Sequence, residues 1–200
     1  MIPDYRRVRP DEQAVYPSGG EDTALVLAWL QSQYASGSHA LYISGSSAGA
    51  VHTATYLLSP AFSSSRHSMR SVSSVTLAGA ILISMPAHFD AHATARADVL
   101  KAYYGERIKE DAPCGLVGQA EGDVDCDVLV INGTLEPEEE ILGPSRRFVE
   151  LFEERAGKER LTVGSLEGHN HFSTVLGLGT GIEREESLGT AVLKWIDERR

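Results

Sequence analysis

Leu41-Tyr42-Ile43-Ser44-Gly45-Ser46-Ser47-Ala48-Gly49-Ala50-Val51 is the stretch of sequence that decides the fold. It passes from an apolar run rich in strand formers, through a GxSxG motif centred on Ser47, into small residues at helical spacing. This order predicts a strand, a sharp turn and a helix. Such a turn is typical of a nucleophile elbow, which lifts a serine hydroxyl above the end of a sheet. The alternative interpretation is a glycine- and serine-rich loop without a chemical role.

We predict that the residues around Ser47 must be small because the turn leaves no room for larger side chains. The backbone at the serine of such a turn is strained, and we expect a side chain at either Gly45 or Gly49 to collide with the neighbouring strand or helix. The helix that follows directs its free N–H groups towards the serine hydroxyl. We therefore expect the Ala48 N–H to stabilise an oxyanion.

A serine hydroxyl becomes a good nucleophile only beside a base, and an acid must orient that base. In this order of motifs the acid and then a histidine should follow Ser47 along the chain. Glu136 follows an apolar run at 127–133, and a pair of histidines, His169 and His171, follows a second run at 161–166. Both positions come directly after predicted strands, where parallel sheets build their sites.

Alternatives remain for both partners of the serine. Glu139 lies in the acidic turn behind Glu136 and is the alternative acid, and Asp90 is a weaker one. His171 precedes an aromatic residue, whereas His169 stands beside a glycine, so His171 is the preferred base and His169 the alternative. The remaining histidines are predicted to be surface or structural residues: His39, His52, His67, His88 and His92. We predict neither a metal nor a cofactor, since no third ligand accompanies the histidine pair.

The 200 residues, of which 42% are hydrophobic, suit a single domain over 1–200. Strands and helices alternate, which predicts an α/β fold with a mostly parallel sheet and helices on both faces. The predicted strands after the first lie at 75–85, 127–133 and 161–166. Besides the helix after Ser47, helices are predicted at 21–34, 98–104, 144–156 and 185–199, and the closing helix is expected to turn Leu188, Ala191, Val192 and Trp195 inward.

Two further segments carry specific expectations. Residues 86–122 form a cap-like insertion between core strands, which we expect to lie over the strand ends and shape a pocket. Residues 59–65, rich in serine and containing a proline, are expected to break the helical pattern.

The net charge of −10 argues against nucleic acid or an anionic membrane surface as a partner. No stretch approaches the roughly 20 apolar residues that span a bilayer. Cys114 and Cys126 lack metal-ligand spacing, which favours a reduced chain over a disulfide framework, with a single bridge between them as the alternative. We therefore expect a cytoplasmic protein.

With these residues assembled, the chain resembles the α/β-hydrolase esterase/lipase superfamily, in particular its hormone-sensitive-lipase-like and kynurenine-formamidase-like carboxylesterases. The GxSxG motif matches the elbow, Glu136-Pro137 falls where the family has its acid, and Asn170-His171-Phe172 is similar to the family's histidine segment. Further segments resemble the regions before the elbow and before the acid: Asp4-Tyr5-Arg6, Tyr16-Pro17, Glu21-Asp22, His88-Phe89-Asp90, Tyr103-Tyr104-Gly105 and Ala112 to Leu116. The resemblance favours His171 as the base.

The resemblance also implies elements that this sequence does not contain. Family members carry an HGG-type oxyanion loop upstream of the Asp4-Tyr5-Arg6 strand, fed by a strand that lies beside the elbow strand, and no His-Gly-Gly occurs in the sequence. We therefore expect an N-terminally truncated version of the fold that lacks one oxyanion donor and one central strand.

Three functions compete on these grounds. The first is a serine hydrolase of carboxylic esters that works through Ser47, His171 and Glu136 and an acyl-enzyme intermediate. The second is a catalytically impaired remnant with at most ligand or partner binding. The third is amide hydrolysis of the arylformamidase type. In each active case the expected substrate is a small molecule, and oligomeric state is not predicted.

Overall fold

The computed structural model describes residues 1–12, 14–71, 74–89, 96–119, 124 and 126–199. Its strands are β1 (His39–Ser46), β2 (Val75–Ile83), β3 (Asp127–Gly133) and β4 (Leu161–Leu166). Its α-helices are α1 (Ser18–Gln33), α2 (Ala48–Leu58), α3 (Ser63–Ser71), α4 (Ala97–Tyr104), α5 (Ile108–Asp111), α6 (Pro113–Gln119), α7 (Gly143–Ala156), α8 (Ser173–Leu176) and α9 (Ser187–Asp197). No described helix is long and apolar enough to cross a membrane.

The four strands form one parallel sheet in the order β1-β2-β3-β4. The register pairs Ser46 with Ile83 and Ile83 with Ile131, so β1, β2 and β3 end at one edge of the sheet. β4 ends at the same edge, where Leu166 pairs with Gly133. The loops that follow β1, β3 and β4 are therefore brought together although they are far apart in sequence.

The sheet is covered on both faces, as predicted. Along β2 and β3, buried side chains alternate between two hydrophobic clusters because successive residues of a strand point to opposite faces. On one face, Leu82 and Val130 pack with residues of α2, α6 and α7. On the other, Ile83 and Ile131 pack with α9. In α9 the predicted inward residues face this second cluster: Leu188, Ala191, Val192 and Trp195.

Helix α1 begins earlier than predicted and packs differently. The sequence predicts a loop up to residue 20, yet Ser18 and the two glycines that follow form a buried first turn. A Cβ at Gly19 would lie 2.0 Å from the His52 ring, and one at Gly20 would lie 2.4 Å from Phe62. Glycine at these two positions thus allows α1 to pack closely against α2. This packing compensates for the low helix propensity of glycine. The apolar side chains at helical spacing along α1 are only partly buried, since Leu25 and Trp29 are 67% and 51% exposed.

The predicted strand at Asp4-Tyr5-Arg6 does not form, and residues 1–7 lie outside regular secondary structure. Among the described residues, β1 pairs only with β2, so this segment has no neighbouring strand to join. It is held against α1 instead. The Arg6 guanidinium donates to Asp22 at 2.8 Å and to Glu21 at 2.7 Å, and these bonds raise its pKa.

The predicted break after the helix that follows Ser47 is confirmed, because α2 ends at Leu58 and Ser59 is extended. Helical structure that the sequence does not predict follows this break, since a 3₁₀ turn, Pro60–Phe62, leads into α3. Residues 86–122 contain α5 and α6 in addition to the predicted helix, and no strand occurs in their described part. Cys114 and Cys126 are both buried and free, so they form no bridge.

Candidate active site

Ser47 occupies the sharp turn between β1 and α2. Its φ of 53° and ψ of −118° are unusual for a residue with a side chain. Its backbone N–H donates to the Ile83 carbonyl at 2.9 Å, which fixes the turn to the end of β2. These features agree with the strand, turn and helix predicted from the sequence.

The two glycines of the motif differ in what they require. A Cβ at Gly45 would lie 2.3 Å from the Gly49 carbonyl oxygen, so a side chain there is excluded by backbone. A Cβ at Gly49 would meet nothing within 4 Å, and the prediction that it too would collide is wrong. The reason is that Gly49 lies in the first turn of α2, where the space beside its Cα is open and the turn is partly exposed.

Three predicted side chains meet at the edge of the sheet. The Nε2 atom of His171 lies 2.8 Å from the Ser47 Oγ, and its Nδ1 lies 2.9 Å from the Glu136 Oε2. With an ionised glutamate, Nδ1–H donates to the carboxylate, which leaves Nε2 free to accept the Ser47 hydroxyl proton. The Glu136 side chain is 0% exposed and that of His171 is 22% exposed, so the imidazole lies between a buried anion and the surface.

Hydrogen bonds between two loops fix the spacing of Glu136 and His171. The Thr134 N–H donates to the Leu166 carbonyl, and the Leu135 N–H donates to the His169 carbonyl at 2.9 Å. The Gly168 N–H donates to the Thr134 Oγ1 at 2.8 Å. The loop after β3 and the loop after β4 are therefore tied directly to each other.

Asn170 shapes the turn that presents His171. Its Oδ1 accepts hydrogen bonds from the backbone N–H groups of Phe172 and Ser173, both at 3.0 Å. The Thr174 hydroxyl donates to the His171 carbonyl at 3.1 Å. Sequence reasoning assigned no role to Asn170 or Thr134. The tendency of asparagine to bond its own backbone two residues on is the signal that points to the first of them.

The alternative base lies in a different environment. His169 is buried, and its Nδ1 and Nε2 lie 3.0 and 2.9 Å from the carbonyl oxygens of Ser173 and Arg184. The Ser187 hydroxyl is 3.0 Å from the same Nε2. Both ring nitrogens are thus engaged within the 169–187 segment, and the structure does not bring His169 to Ser47.

The other candidates lie apart from these three side chains. Glu139 is exposed on a π-helical turn, Glu138–Leu142. Asp90, the weaker alternative acid, and His92 lie outside the described residues. Within the described part of the chain, no three His, Cys, Asp or Glu side chains cluster closely enough to hold a metal ion.

The first residue of α2 borders a cavity of about 350 Å³. Ala48 is exposed there, and its N–H makes no hydrogen bond to any described residue, which leaves it available to an oxyanion. The cavity walls come from residues 5–8, from α2 and from the segment predicted as an insertion: Tyr5, Arg6, Arg7, Val8, Ala48, Val51, His52, Pro86, Phe89, Arg96, Val99, Leu100, Tyr103 and Tyr104.

His52 lines this cavity one helical turn after Ala48. Its ring contacts Tyr5 and Tyr103, with centroids 4.6 and 5.8 Å apart, and its buried Nδ1 has no partner among the described residues. Burial lowers the pKa of His52, and the charge of Asp22 opposes this only in part. Burial also disfavours the charged form of Tyr103 and so raises its pKa. The Tyr103 hydroxyl oxygen accepts a hydrogen bond from the Gly19 N–H at 3.2 Å. Near neutral pH, His52 and Tyr103 therefore both contribute uncharged surface to the cavity lining.

Comparisons with known proteins identify the fold. No protein-family model matches the chain. No curated protein matches it either. Among solved structures, a carboxylesterase from Lactobacillus plantarum superposes with a TM-score of 0.63 at 14% identity, over 93% of this chain and 69% of that one.

Two further solved structures give the same result. An esterase from Thermogutta terrifontis has a TM-score of 0.65 at 18% identity, over 98% of this chain and 69% of that one. Esterase B from Lactobacillus rhamnosis has a TM-score of 0.68 at 14% identity, over 96% of this chain and 64% of that one. This chain thus spans about two thirds of the length of these esterases, and its parallel sheet, its elbow and its flanking helices place it in the α/β-hydrolase fold.

Proposed function

We propose that the protein is a serine hydrolase of carboxylic esters. The observation that carries this proposal is the unbroken hydrogen-bond chain from the Ser47 hydroxyl through His171 to the buried Glu136 carboxylate. The esterase neighbours in the same fold support it. A fold alone hosts many activities, so the geometry of the side chains carries more weight than the likeness.

Each of the three residues has a defined role in the first half of the reaction. Ser47 Oγ attacks the ester carbonyl carbon while His171 Nε2 takes the hydroxyl proton. Glu136 stabilises the imidazolium that forms and holds its ring in place. The Ala48 N–H donates to the oxyanion of the tetrahedral intermediate. When the carbon–oxygen bond breaks, His171 returns the proton to the departing alkoxide, and an acyl group remains on Ser47.

The second half of the reaction uses the same groups. His171 takes a proton from a water molecule, whose oxygen attacks the acyl carbon. The intermediate collapses, the acid leaves, and the proton returns to Ser47 Oγ. The balance is one ester and one water consumed, and one acid and one alcohol released.

Labelling with a fluorophosphonate probe tests the proposal, because such probes react with an activated serine. We expect the wild-type chain to be labelled and Ser47→Ala to be inert, with unchanged circular dichroism. Ser46→Ala is the matched control, since it removes the neighbouring hydroxyl, and it should still be labelled. A folded wild-type chain without labelling would instead support the catalytically impaired remnant.

The choice between ester and amide substrates needs a second measurement. We expect the labelled protein to hydrolyse a short para-nitrophenyl ester, with activity that disappears in Ser47→Ala. Turnover of an arylformamide that exceeds turnover of the ester would favour the arylformamidase-type activity.

A further inference from the structure

The cavity beside Ala48 has an unusual charge composition. The chain as a whole carries a net charge of −10. Yet the described residues that line the cavity include three arginines, Arg6, Arg7 and Arg96, and neither aspartate nor glutamate. The charged side chains among these described lining residues are therefore all cationic, whereas the net charge of the protein is negative. Such local charge selects and steers ligands of the opposite sign.

The three arginines are not equally available to a ligand. Arg6 pairs with Asp22 and Glu21, and Arg7 pairs with Glu12 at 3.5 Å. Arg96 makes no ion pair or hydrogen bond with any described residue. Its guanidinium donors are therefore not used by any described residue, and the described part of the cavity lining places no carboxylate beside it.

The rest of the cavity lining is suited to an uncharged, apolar part of a ligand. Val51, Phe89, Leu100 and Tyr104 supply apolar and aromatic surface, and all four lie in the cavity wall with Ala48. A ligand that places an apolar chain or ring against this wall can extend a terminal anionic group to Arg96. A volume of about 350 Å³ is at the small end of the range of roughly 300–1,000 Å³ for ligand sites.

We propose that the substrate carries a carboxylate or similar anionic group, separated from its scissile ester by a short apolar spacer, and that Arg96 binds this group. The inference rests on the proposed hydrolysis at Ser47, because it places the apolar part of the substrate in the cavity that Ala48 borders. An arginine pairs with a carboxylate through two parallel N–H···O bonds, which gives direction as well as attraction. Arg96 is then a specificity-determining residue.

Paired substrates test this proposal. On the acyl side, para-nitrophenyl hemisuccinate is compared with para-nitrophenyl butyrate; on the alcohol side, carboxyphenyl butyrate is compared with phenyl butyrate. In one of the two pairs we expect the anionic member to have a kcat/KM about 10-fold higher, the size expected of a partly exposed charge-assisted hydrogen bond. Raising the salt from about 50 to about 500 mM should reduce this preference by screening.

Variants at the start of helix α4 and within it test whether Arg96 causes the preference for the anionic substrate. Arg96→Gln should abolish it, and Arg96→Lys should retain part of it because the charge remains without the planar fork. Lys101→Gln is the matched control: it removes the same charge from the same region, at an exposed side chain outside the cavity lining, and should keep the preference. A wild-type protein that hydrolyses both members of each pair equally, or prefers the neutral ones, overturns the inference.

A binding measurement separates this inference from the proposed function. Phenylbutyrate and its neutral amide, phenylbutyramide, are titrated into Ser47→Ala by calorimetry, with and without Arg96→Gln. Tighter binding of phenylbutyrate that depends on Arg96 would support the cavity assignment even if the wild-type chain shows no labelling and no hydrolysis. Equal binding of the two compounds would refute the cavity assignment and leave hydrolysis at Ser47 untouched.

Discussion

The Nε2 atom of His171 lies 2.8 Å from the hydroxyl oxygen of Ser47, across 124 residues of sequence. The contact joins the turn after β1 to the loop after β4, and neither segment could position it alone. It depends on the parallel register of the sheet and on the bonds that tie the loop of Glu136 to that of His171. Substitutions at these residues should therefore separate effects on catalysis from effects on folding.

The two histidines of the 169–171 segment are expected to respond in opposite ways. His171→Ala removes the group that takes the Ser47 proton, and kcat/KM for a para-nitrophenyl ester should fall by at least about 10²–10⁴ with little change in stability. His169→Ala removes a buried ring whose single N–H, in the neutral form, donates to one of the two carbonyl oxygens that face it, so that oxygen loses its donor. The free energy of unfolding in urea should then fall by about 1–3 kcal/mol, with a smaller effect on catalysis. The reverse ranking in activity would make His169 the base.

The two candidate acids are also expected to differ. Glu136→Gln keeps the shape of the side chain but removes the charge that stabilises the imidazolium, so kcat should fall by about 10²–10⁴. Glu139→Gln is the matched control, because the same change is made on an exposed side chain. It should leave kcat within about twofold, as surface substitutions usually have small effects. Equal losses in the two variants would argue against Glu136 as the sole orienting acid.

The sequence predicts the sheet well because each strand has a simple local signal. β3 and β4 have the predicted bounds, since each is a short run of strand formers that ends at a turn or loop signal. The position of Ser47 follows from the same local reasoning, because small residues surround it and a helix comes directly after it. Glu136 and the pair His169 and His171 are predicted because they follow strand ends, and the resemblance to the esterase family then favours His171.

Other features depend on contacts that no local pattern reveals. The start of α1 at Ser18 requires Gly19 to lie against His52, and its glycines read as a loop when taken alone. The freedom at Gly49 depends on which side of α2 is covered. The cavity combines residues 5–8 with α2 and α4, so its position and its arginines emerge only from the folded chain.

The glycines of the elbow provide a direct test of this packing. Gly45→Ala places a Cβ against the backbone of α2, which cannot move away without disturbing the turn. We expect it to reduce the free energy of unfolding by more than about 2 kcal/mol, or to prevent folding. Gly49→Ala adds the same methyl group to open space in a helix and should be neutral or stabilising by up to about 1 kcal/mol. Urea denaturation of both variants measures the difference, and equal destabilisation would contradict the geometry.

The buried thiol of Cys114 should be inert in the native protein. Burial raises its pKa to about 12, so the reactive thiolate is essentially absent near neutral pH. With Cys126→Ser as the background, which leaves Cys114 as the single cysteine, we expect a disulfide reagent to modify the thiol only after unfolding in urea. Fast modification of the folded variant at pH 8 would show that the thiol is neither buried nor perturbed as described.

His52 is expected to make stability depend on pH. Burial lowers its pKa in the folded chain, whereas in the unfolded chain the imidazole takes up a proton near its ordinary pKa of about 6.5. Below this pH the unfolded state binds more protons than the folded state, so the free energy of unfolding should fall as the pH decreases from about 7 towards the pKa of the folded state.

Replacement of His52 isolates this contribution. Asparagine is smaller than histidine and does not titrate, so His52→Asn should flatten the slope of stability against pH below about 6.5, by up to about 1.4 kcal/mol per pH unit. The loss of contacts with Tyr5 and Tyr103 shifts the whole curve down but does not change this slope. His88→Asn, at an exposed position, is the control and should keep the wild-type slope. Identical slopes in all three proteins, measured by urea denaturation between about pH 5 and pH 7, would mean that His52 takes up its proton equally in both states.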